Sequence, residues 1–98
     1  MDDKSVTGIM AAIGQPTRLA ILRAVAPHSR GEDAQGMAAG DIARLLDVPP
    51  ATLSFHLKNM TYKGLLNPQR DGRSIRYRAN LDALVKALDY LVREVCGV

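Results

Sequence analysis

The sequence predicts a mainly α-helical fold of five helices with one small, two-stranded β-hairpin. Three observations lead to this prediction. The chain of 98 residues has the length of one domain, which we assign to residues 1–98 as a whole. Apolar residues recur at helical spacing along most of it. Around Asp71 the pattern changes to two extended runs flanking an Asp-Gly pair, which is typical of a hairpin.

The first two helices are predicted from their apolar spacing and their boundary residues. An i, i+3, i+4, i+7 stripe indicates a first helix over residues 4–13, which Gly14 ends. Pro16 suits the first turn of a second helix, which extends to Pro27. Residues 27–36, PHSRGEDAQG, are rich in turn formers and charge and predict a loop. The apolar stripe of the first helix is Val6, Ile9, Met10 and Ile13.

A short helix and a longer one follow with only two or three residues between them. The segment GDIARLLD predicts the short helix, and Asp41 in its first turn complements the helix dipole. The longer helix opens at Pro50, which loses no hydrogen bond there, and stops at Gly64. Two helices joined in this way form a helix-turn-helix. The inward positions are Ile42, Leu45 and Leu46 on the short helix and Leu53, Leu57 and Met60 on the longer one.

The C-terminal third supplies a hairpin and a last helix. LLNPQR and SIRYRA are extended runs, and DGR between them is a turn of the Asp-Gly type. Asn80 caps the last helix, with Asp82 in its first turn. The order of elements is therefore that of a winged helix-turn-helix. An unusually broad apolar face on the last helix comprises Leu81, Leu84, Val85, Leu88, Leu91, Val92 and Val95.

Positive charge is concentrated in residues 50–79. The whole chain has a formal net charge of +3, but this segment holds six basic residues against Asp71 alone, a net charge of +5. A field of that sign attracts a polyanion, and nucleic acid is the usual one. The alternative is a solvated surface that has no partner.

Three segments together resemble the ArsR/SmtB family of bacterial metal- and stress-responsive transcriptional repressors. They are GQPTRLAILRAV, GDIARLLDVPPATLSFHLKNMTYKGLL and RDGRSIRYRANLDALV, and the likeness covers nearly the whole chain. LSFHLKNMTYKGLL followed by a DGRSIRYR hairpin is the specific combination. The resemblance implies a homodimer whose first and last helices form the interface. It also implies binding to a double-stranded operator near a promoter, with release when an inducer binds.

The second helix of a helix-turn-helix places its N-terminal residues nearest the base edges of the major groove. Thr52 and Ser54 offer hydroxyl groups to bases or phosphates, and Phe55 can lie against a thymine methyl. The alternatives are hydrogen bonds to first-turn amides for the hydroxyls, and a Phe55 ring that folds back to shield the hairpin. The residues expected to contact DNA are Ala51, Thr52, Ser54, Phe55, Lys58, Asn59, Arg70, Arg73, Arg76 and Arg78.

Two further expectations qualify this set. His56 lies on the same side as the apolar stripe and is expected to be packed and hydrogen-bonded rather than in contact with DNA. Arg76 and Arg78 alternate with Ile75 and Tyr77, so the two arginines share one sheet face. Plain solvation is the alternative to a DNA contact for both arginines.

A broad apolar face on a chain of this size is rarely left bare, which favours a homodimer. The resemblance places the interface on the first and last helices. The residues expected there are Val6, Ile9, Met10, Ile13, Leu84, Val85, Leu88, Leu91, Val92 and Val95.

No metal site is expected, because the chain departs from the ligand sets that the family carries. The short helix has no cysteine pair, and the last helix has Asp82 and Asp89 without a histidine. His28 beside Glu32 and Asp33 is expected to be an ordinary loop residue. Cys96 lies where some arsenite-responsive relatives have a cysteine pair, so the alternatives are an incidental thiol and a thiol sensor of redox state or metalloid.

Catalysis is not expected, since the sequence has neither a glycine-rich phosphate loop nor a nucleophile with a base at a recognisable spacing. We therefore expect no cofactor. The absence of a long apolar run and of a signal peptide, together with a single cysteine, predicts a cytoplasmic protein without a membrane partner. The rival to a DNA-binding regulator is a winged helix used for protein–protein contact. The inducer, the operator sequence and the regulated genes are not readable from the sequence.

Overall fold

The computed structural model describes residues 1–32 and 34–98, and Asp33 lies outside the described residues. Five α-helices and a three-stranded antiparallel sheet make up the fold. The helices are α1 (Asp3–Ile13), α2 (Pro16–Val25), α3 (Ala39–Leu46), α4 (Pro50–Tyr62) and α5 (Leu81–Glu94), and a 3-10 turn (Ala26–Ser29) follows α2. The strands are β1 (Met37–Ala38), β2 (Leu66–Asp71) and β3 (Ser74–Ala79). Among the described residues no helix has the length and apolar character needed to cross a membrane.

Polar side chains fix the starts of three helices. The Asp2 carboxylate accepts from the backbone N–H of Ser5 at 2.8 Å, and the Gln15 amide oxygen accepts from the N–H of Arg18 at 3.0 Å. Asn80 accepts from the N–H of Ala83 at 3.2 Å, which confirms the predicted cap of α5. Each bond satisfies an amide that has no partner within its own helix.

The core lies where α1, α2, α3 and α4 meet the base of the hairpin. The predicted stripe of α4 is confirmed, because Leu53, Leu57 and Met60 are all buried. The inward prediction for Leu45 is wrong, since this side chain is 63% exposed. With only eight residues, α3 packs through one narrow edge, and the buried neighbours are Ile42 and Ala43, with Leu46 half-buried.

The connection between α3 and α4 is a tight turn. Asp47 caps α3 in the left-handed region at a φ of 53°, and the N–H of Val48 donates to the carbonyl of Ala43 at 3.0 Å. Asp47 therefore ends α3 instead of extending it, and the helix-turn-helix is confirmed.

The sheet has three strands rather than the predicted two. Residues Met37 and Ala38 add a short strand to the outer edge of β3, where they pair with Tyr77 and Arg76. Two residues are too few to show an alternating pattern, so periodicity could not indicate this strand. The hairpin itself is confirmed, but Asp71 pairs with Ser74 as the last strand residue.

Two of the glycines that have positive φ, Gly36 and Gly72, are required for different reasons. Gly72, at a φ of 63°, opens the two-residue loop of the hairpin, the position at which a type II′ turn requires glycine. Gly36, at a φ of 69°, lies directly against β3. A Cβ atom on Gly36 would stand 2.4 Å from the Tyr77 carbonyl oxygen and 2.8 Å from Cγ of Arg78. Close approach of two backbones, as well as conformation, therefore demands glycine at residue 36.

We expect Gly36→Ala to destabilise the fold by about 3 kcal/mol, because strain at positive φ adds to the clash with β3. Urea denaturation measures the change in the free energy of unfolding. Gly72→Ala is the matched control, since its φ is nearly equal and, among the described residues other than its two chain neighbours, no atom lies within 4 Å of the added Cβ. The control should cost only about 1 kcal/mol. Equal losses for the two variants would contradict the close approach of residue 36 to β3.

Candidate nucleic-acid interface

The exposed surface of α4 forms the centre of the site. Burial of its apolar stripe turns the opposite side of the helix outward. Phe55 is 65% exposed, so the alternative in which its ring folds back to shield the hairpin is wrong. The Phe55 ring stands in a T-shaped arrangement with the neighbouring His56 ring, with centroids 5.9 Å apart. The exposed residues along α4 are Pro50, Ala51, Thr52, Ser54, Phe55, Lys58 and Tyr62.

One flank of this surface is tied to α2 through Arg18. The Nε–H of Arg18 donates to Nδ1 of His56 at 3.1 Å, and Nη1 donates to Oδ1 of Asn59 at 2.8 Å. His56 is buried and hydrogen-bonded, which confirms the expectation for this residue. Asn59, which is half-buried, was expected to reach DNA. Its side-chain oxygen already has a partner within the protein.

The contact with Arg18 fixes the protonation of His56. Nδ1 accepts a hydrogen bond, so the neutral ring carries its proton on Nε2. Burial lowers the pKa of His56 below its ordinary value of 6.5, and the charge of Arg18 lowers it further. Both effects favour the neutral ring.

The other flank of α4 faces the hairpin across a cleft of about 390 Å³. Ser54 and Pro50 line the cleft from α4, and Arg73, Ile75 and Tyr77 line it from the hairpin. The register of β2 and β3 puts Arg70 opposite Ile75, so Arg70 shares the sheet face that carries Ile75 and Tyr77. The β2–β3 hairpin is the wing of this fold. Helix α4 and the wing therefore form one continuous concave surface.

The four arginines of the hairpin have different environments. Arg76 is bound by the protein itself, since its guanidinium donates to the carbonyls of Gln35 at 2.8 Å and Gly36 at 3.0 Å. Arg78 is half-buried on the same sheet face. Arg70 and Arg73 are exposed near the tip. The predicted contacts thus divide into two exposed arginines and two that are partly engaged in the fold.

The residues predicted for a dimer interface also divide into two groups. Val6 and Ile9 of α1 are buried within the single chain, so they have little surface left for a partner. Leu84 and Leu91 of α5 are half-buried, as are Met10 and Ile13 of α1. An exposed apolar stripe runs along α5 and comprises Val85, Leu88, Val92 and Val95.

A polar contact joins α1 to α5 beside this stripe. The hydroxyl of Tyr90 donates to the carboxylate of Asp3. That hydrogen bond raises the pKa of Tyr90 to about 12. Together with the packing of α1 on α5, the contact places the two helices predicted for dimerisation side by side in one chain.

The residues considered for sensing lie apart from these surfaces. Cys96 is an exposed free thiol just beyond the end of α5. His28 and Glu32 are exposed, and Asp33 lies outside the described residues. Among residues 1–32 and 34–98 no three His, Cys, Asp or Glu side chains cluster in a way that could hold a metal ion.

The central part of the chain matches a known protein family. The family described as a helix-turn-helix domain matches residues 13–69, which include α2, α3 and α4. The chain belongs to this family.

Two curated relatives define the branch more closely. Nodulation protein NolR of Rhizobium meliloti is 29% identical over 90 residues, which are 92% of this chain and 68% of NolR. A Halobacterium salinarum protein described as the ArsR repressor of an arsenical resistance operon is 31% identical over 84 residues. That match covers 84% of this chain and 61% of the relative, so the chain spans about two thirds of the length of these proteins.

Solved structures agree with this assignment. An ArsR-like transcriptional regulator from Rhodococcus sp. RHA1 superposes with a TM-score of 0.81 at 26% identity, over 96% of this chain and 82% of the other. The homodimeric winged helix-turn-helix domain of Mb0332 from Mycobacterium bovis has a TM-score of 0.69 at 24% identity, over 95% and 92% of the two chains. The second likeness shows the fold alone. The chain is thus an ArsR-family winged-helix regulator, which confirms the family resemblance of the sequence.

Sequence reasoning missed Arg18 of this ArsR-family chain as part of the site. Its partners His56 and Asn59 are 38 and 41 residues away along the chain. No local pattern connects residues at such separations. The one available signal was a charged residue in the first turn of a helix whose other neighbours are mostly apolar.

We expect His56 to make stability depend on pH near neutrality. Its folded-state pKa is below 6.5, so the unfolded chain binds a proton that the folded chain excludes, and stability falls as pH drops through 6.5. His56→Asn is the comparison, because an Asn oxygen can accept from Arg18 without titrating. Urea denaturation at pH 7.5 and 5.5 should show wild type losing more stability than the variant. Equal losses in the two proteins would contradict a lowered pKa of His56, because the substitution leaves every other titratable group in place.

Proposed function

We propose that the chain is a dimeric, sequence-specific DNA-binding repressor, which an inducer releases from its operator. The observation that carries the proposal is the outward face of α4, which combines hydroxyl, aromatic and basic side chains and continues into a basic wing. A solvated face would not need a large aromatic side chain that is 65% exposed at its centre.

The geometry of α4 supports direct reading of bases. Its first turns carry Thr52, Ser54 and Phe55 on the exposed side, and these turns lie nearest the base edges when a recognition helix enters the major groove. Hydroxyl groups can bond to bases or phosphates, and the Phe55 ring suits the methyl group of thymine. We assign sequence discrimination to these three residues.

The wing supports binding that is independent of sequence. Arg70 and Arg73 are exposed near its tip, and Lys58 is exposed on α4. Such side chains meet phosphates and release counterions from DNA. Because Arg76 is bound to two backbone carbonyls, its first role is to hold the loop before β1 against the wing. We therefore assign most of the phosphate contact to Arg70, Arg73 and Lys58.

The exposed stripe of α5 supports the dimer. Four large apolar side chains on one helix face are rarely left in water. The neighbouring α1 contributes the half-buried Met10 and Ile13. The Mb0332 domain, which shares this fold, is described as homodimeric. We propose a symmetric pairing of two copies through α5 and the adjoining part of α1.

Repression is proposed from a relative, and release by an inducer from the resemblance to the ArsR/SmtB family. The Halobacterium salinarum protein is described as an operon repressor. A winged helix that contacts another protein instead of DNA is the rival, and the concentrated positive charge of residues 50–79 favours DNA over that rival.

The DNA reading is tested with a duplex selected by wild type from a randomised library, and a scrambled duplex of equal composition. Thr52→Ala combined with Phe55→Ala should lower affinity for the selected duplex at least ~10-fold and leave the scrambled duplex nearly unaffected. Arg73→Ala should instead weaken both duplexes alike and reduce the salt dependence by about one counterion per chain.

Mobility shifts at two salt concentrations measure both effects, and thermal unfolding controls for the fold. If the double variant unfolds early and loses both kinds of binding equally, Phe55 is structural and the assignment is wrong. If wild type selects no sequence and binds no duplex, the protein-contact rival replaces the proposal.

Leu88→Asp should convert the dimer to monomer, because Leu88 lies in the middle of the exposed α5 stripe at 50% exposure. Sedimentation at micromolar concentration measures the mass, and affinity for the selected duplex should fall with it. Leu19→Asp is the matched control, since Leu19 of α2 is 43% exposed and lies outside the stripe. A Leu88→Asp variant that stays fully dimeric would place the interface elsewhere.

A further inference from the structure

We propose that Arg18 is a positioning residue of the DNA interface, which holds Asn59 so that its side chain presents only N–H donors to DNA. The proposal rests on the DNA-binding function proposed above and deepens it. It identifies the kind of base edge that this part of α4 reads.

The orientation of the Asn59 amide follows from the chemistry of its partner. A guanidinium group has five N–H donors and no acceptor. The amide atom that stands 2.8 Å from Nη1 of Arg18 must therefore be the oxygen, Oδ1. The same guanidinium reaches His56 through Nε at 3.1 Å. One fork thus binds two side chains that are three residues apart on the same edge of α4.

The other amide atom of Asn59, Nδ2, is directed away from this contact. Within the described residues no protein acceptor bonds to Nδ2, and the only buried side-chain nitrogen or oxygen without a partner is Oγ1 of Thr61. Nδ2 therefore lies at the accessible surface. Asn59 also follows Thr52 and Phe55 at i+7 and i+4, so it extends the edge of α4 that is assigned to base reading.

A donor-only Asn reads DNA differently from a free Asn. The usual pairing of Asn with adenine uses both amide atoms, with the oxygen accepting from the adenine amino group. That pairing would cost Asn59 its bond to Arg18. The remaining N–H donors suit an acceptor in the major groove, namely N7 of guanine or adenine, O6 of guanine or O4 of thymine, whereas cytosine offers only a donor there. We infer that Asn59 selects such an acceptor.

Arginine is required at residue 18 for geometry rather than for charge. Lysine carries the same charge but has a single nitrogen, so it cannot hold His56 and Asn59 together in a fixed plane. Among the described residues no carboxylate forms an ion pair with Arg18. The positive charge is therefore retained in Arg18→Lys, while the fork is lost.

The test uses the full chain and duplex DNA from a randomised library. Wild type, Arg18→Lys, Asn59→Ala and the control Arg23→Lys each select from the library, and affinities are then measured for the wild-type sequence and a scrambled duplex. Arg23 is an exposed arginine in the last turn of the same helix. Arg18→Lys should bind scrambled DNA like wild type, while its preference for the selected sequence falls about 10-fold.

Arg18→Lys and Asn59→Ala should lose their preference at the same base pair. The base contacted there should not be cytosine, because cytosine offers only a donor in the major groove. Combining both substitutions should be no worse than Asn59→Ala alone, because Arg18 acts through Asn59. Arg23→Lys should select like wild type. If Arg18→Lys keeps the wild-type preference, or loses both kinds of binding equally, the positioning role is wrong.

Asn59→Asp gives a second measurement that does not depend on Arg18→Lys folding. Its carboxylate can still accept from Arg18, so the fold should be retained, but the outward donor becomes an acceptor. The ratio of selected to scrambled affinity should fall at least ~5-fold, and an unchanged ratio would overturn the inference. If wild type itself selects nothing, the DNA-binding function fails. If wild type selects and these variants select equally well, only the role of Arg18 and Asn59 fails.

Discussion

The burial of one face of α4 is the constraint on which the rest of the structure depends. Leu53, Leu57 and Met60 are fully enclosed by neighbouring helices and the base of the hairpin. Because a helix has a fixed period, burying this stripe determines which residues must point outward. The exposed set, centred on Phe55, is therefore a consequence of the core rather than an independent feature. A rotation of α4 that exposed Leu57 would cost about 2 kcal/mol for that side chain alone.

Two sets of polar contacts complete the positioning of α4 and the wing, which apolar packing in the core begins. On one flank Arg18 bonds to His56 and Asn59, and on the other the wing is held to the rest of the fold through β1 and the contacts of Arg76 with two carbonyls. Apolar packing alone tolerates small rotations, whereas a fork with two defined acceptors does not. Directional bonds therefore act at the edges of the surface that must match DNA, and apolar contacts fill its interior.

The sequence predicted the elements that have a local signature of periodicity or capping. It predicted few of the contacts between residues that are far apart along the chain. All five helices, the hairpin and the buried His56 were predictable, because each has a local signature of spacing, a cap or a turn. The strand Met37–Ala38 was missed because two residues carry no period, and Leu45 was misplaced because a short helix offers more than one apolar edge. The DNA-contacting residues remain predictions. Arg18 was missed because its partners are remote in sequence.

The size of α4 connects the apolar stripe of α5 to the proposed function. A helix of 13 residues is about 20 Å long, and only part of it reaches into a groove. Each discriminated base pair contributes about 1–3 kcal/mol to the binding free energy. The specific binding of a regulator is stronger than its binding to random DNA by about 4–10 kcal/mol. A single copy that contacts two or three base pairs would gain about 2–9 kcal/mol, which does not reach the upper end of that range. Two copies double the discriminated pairs without any change to α4. In the proposed dimer, the exposed stripe that includes Leu88 would therefore contribute to specificity as well as to assembly.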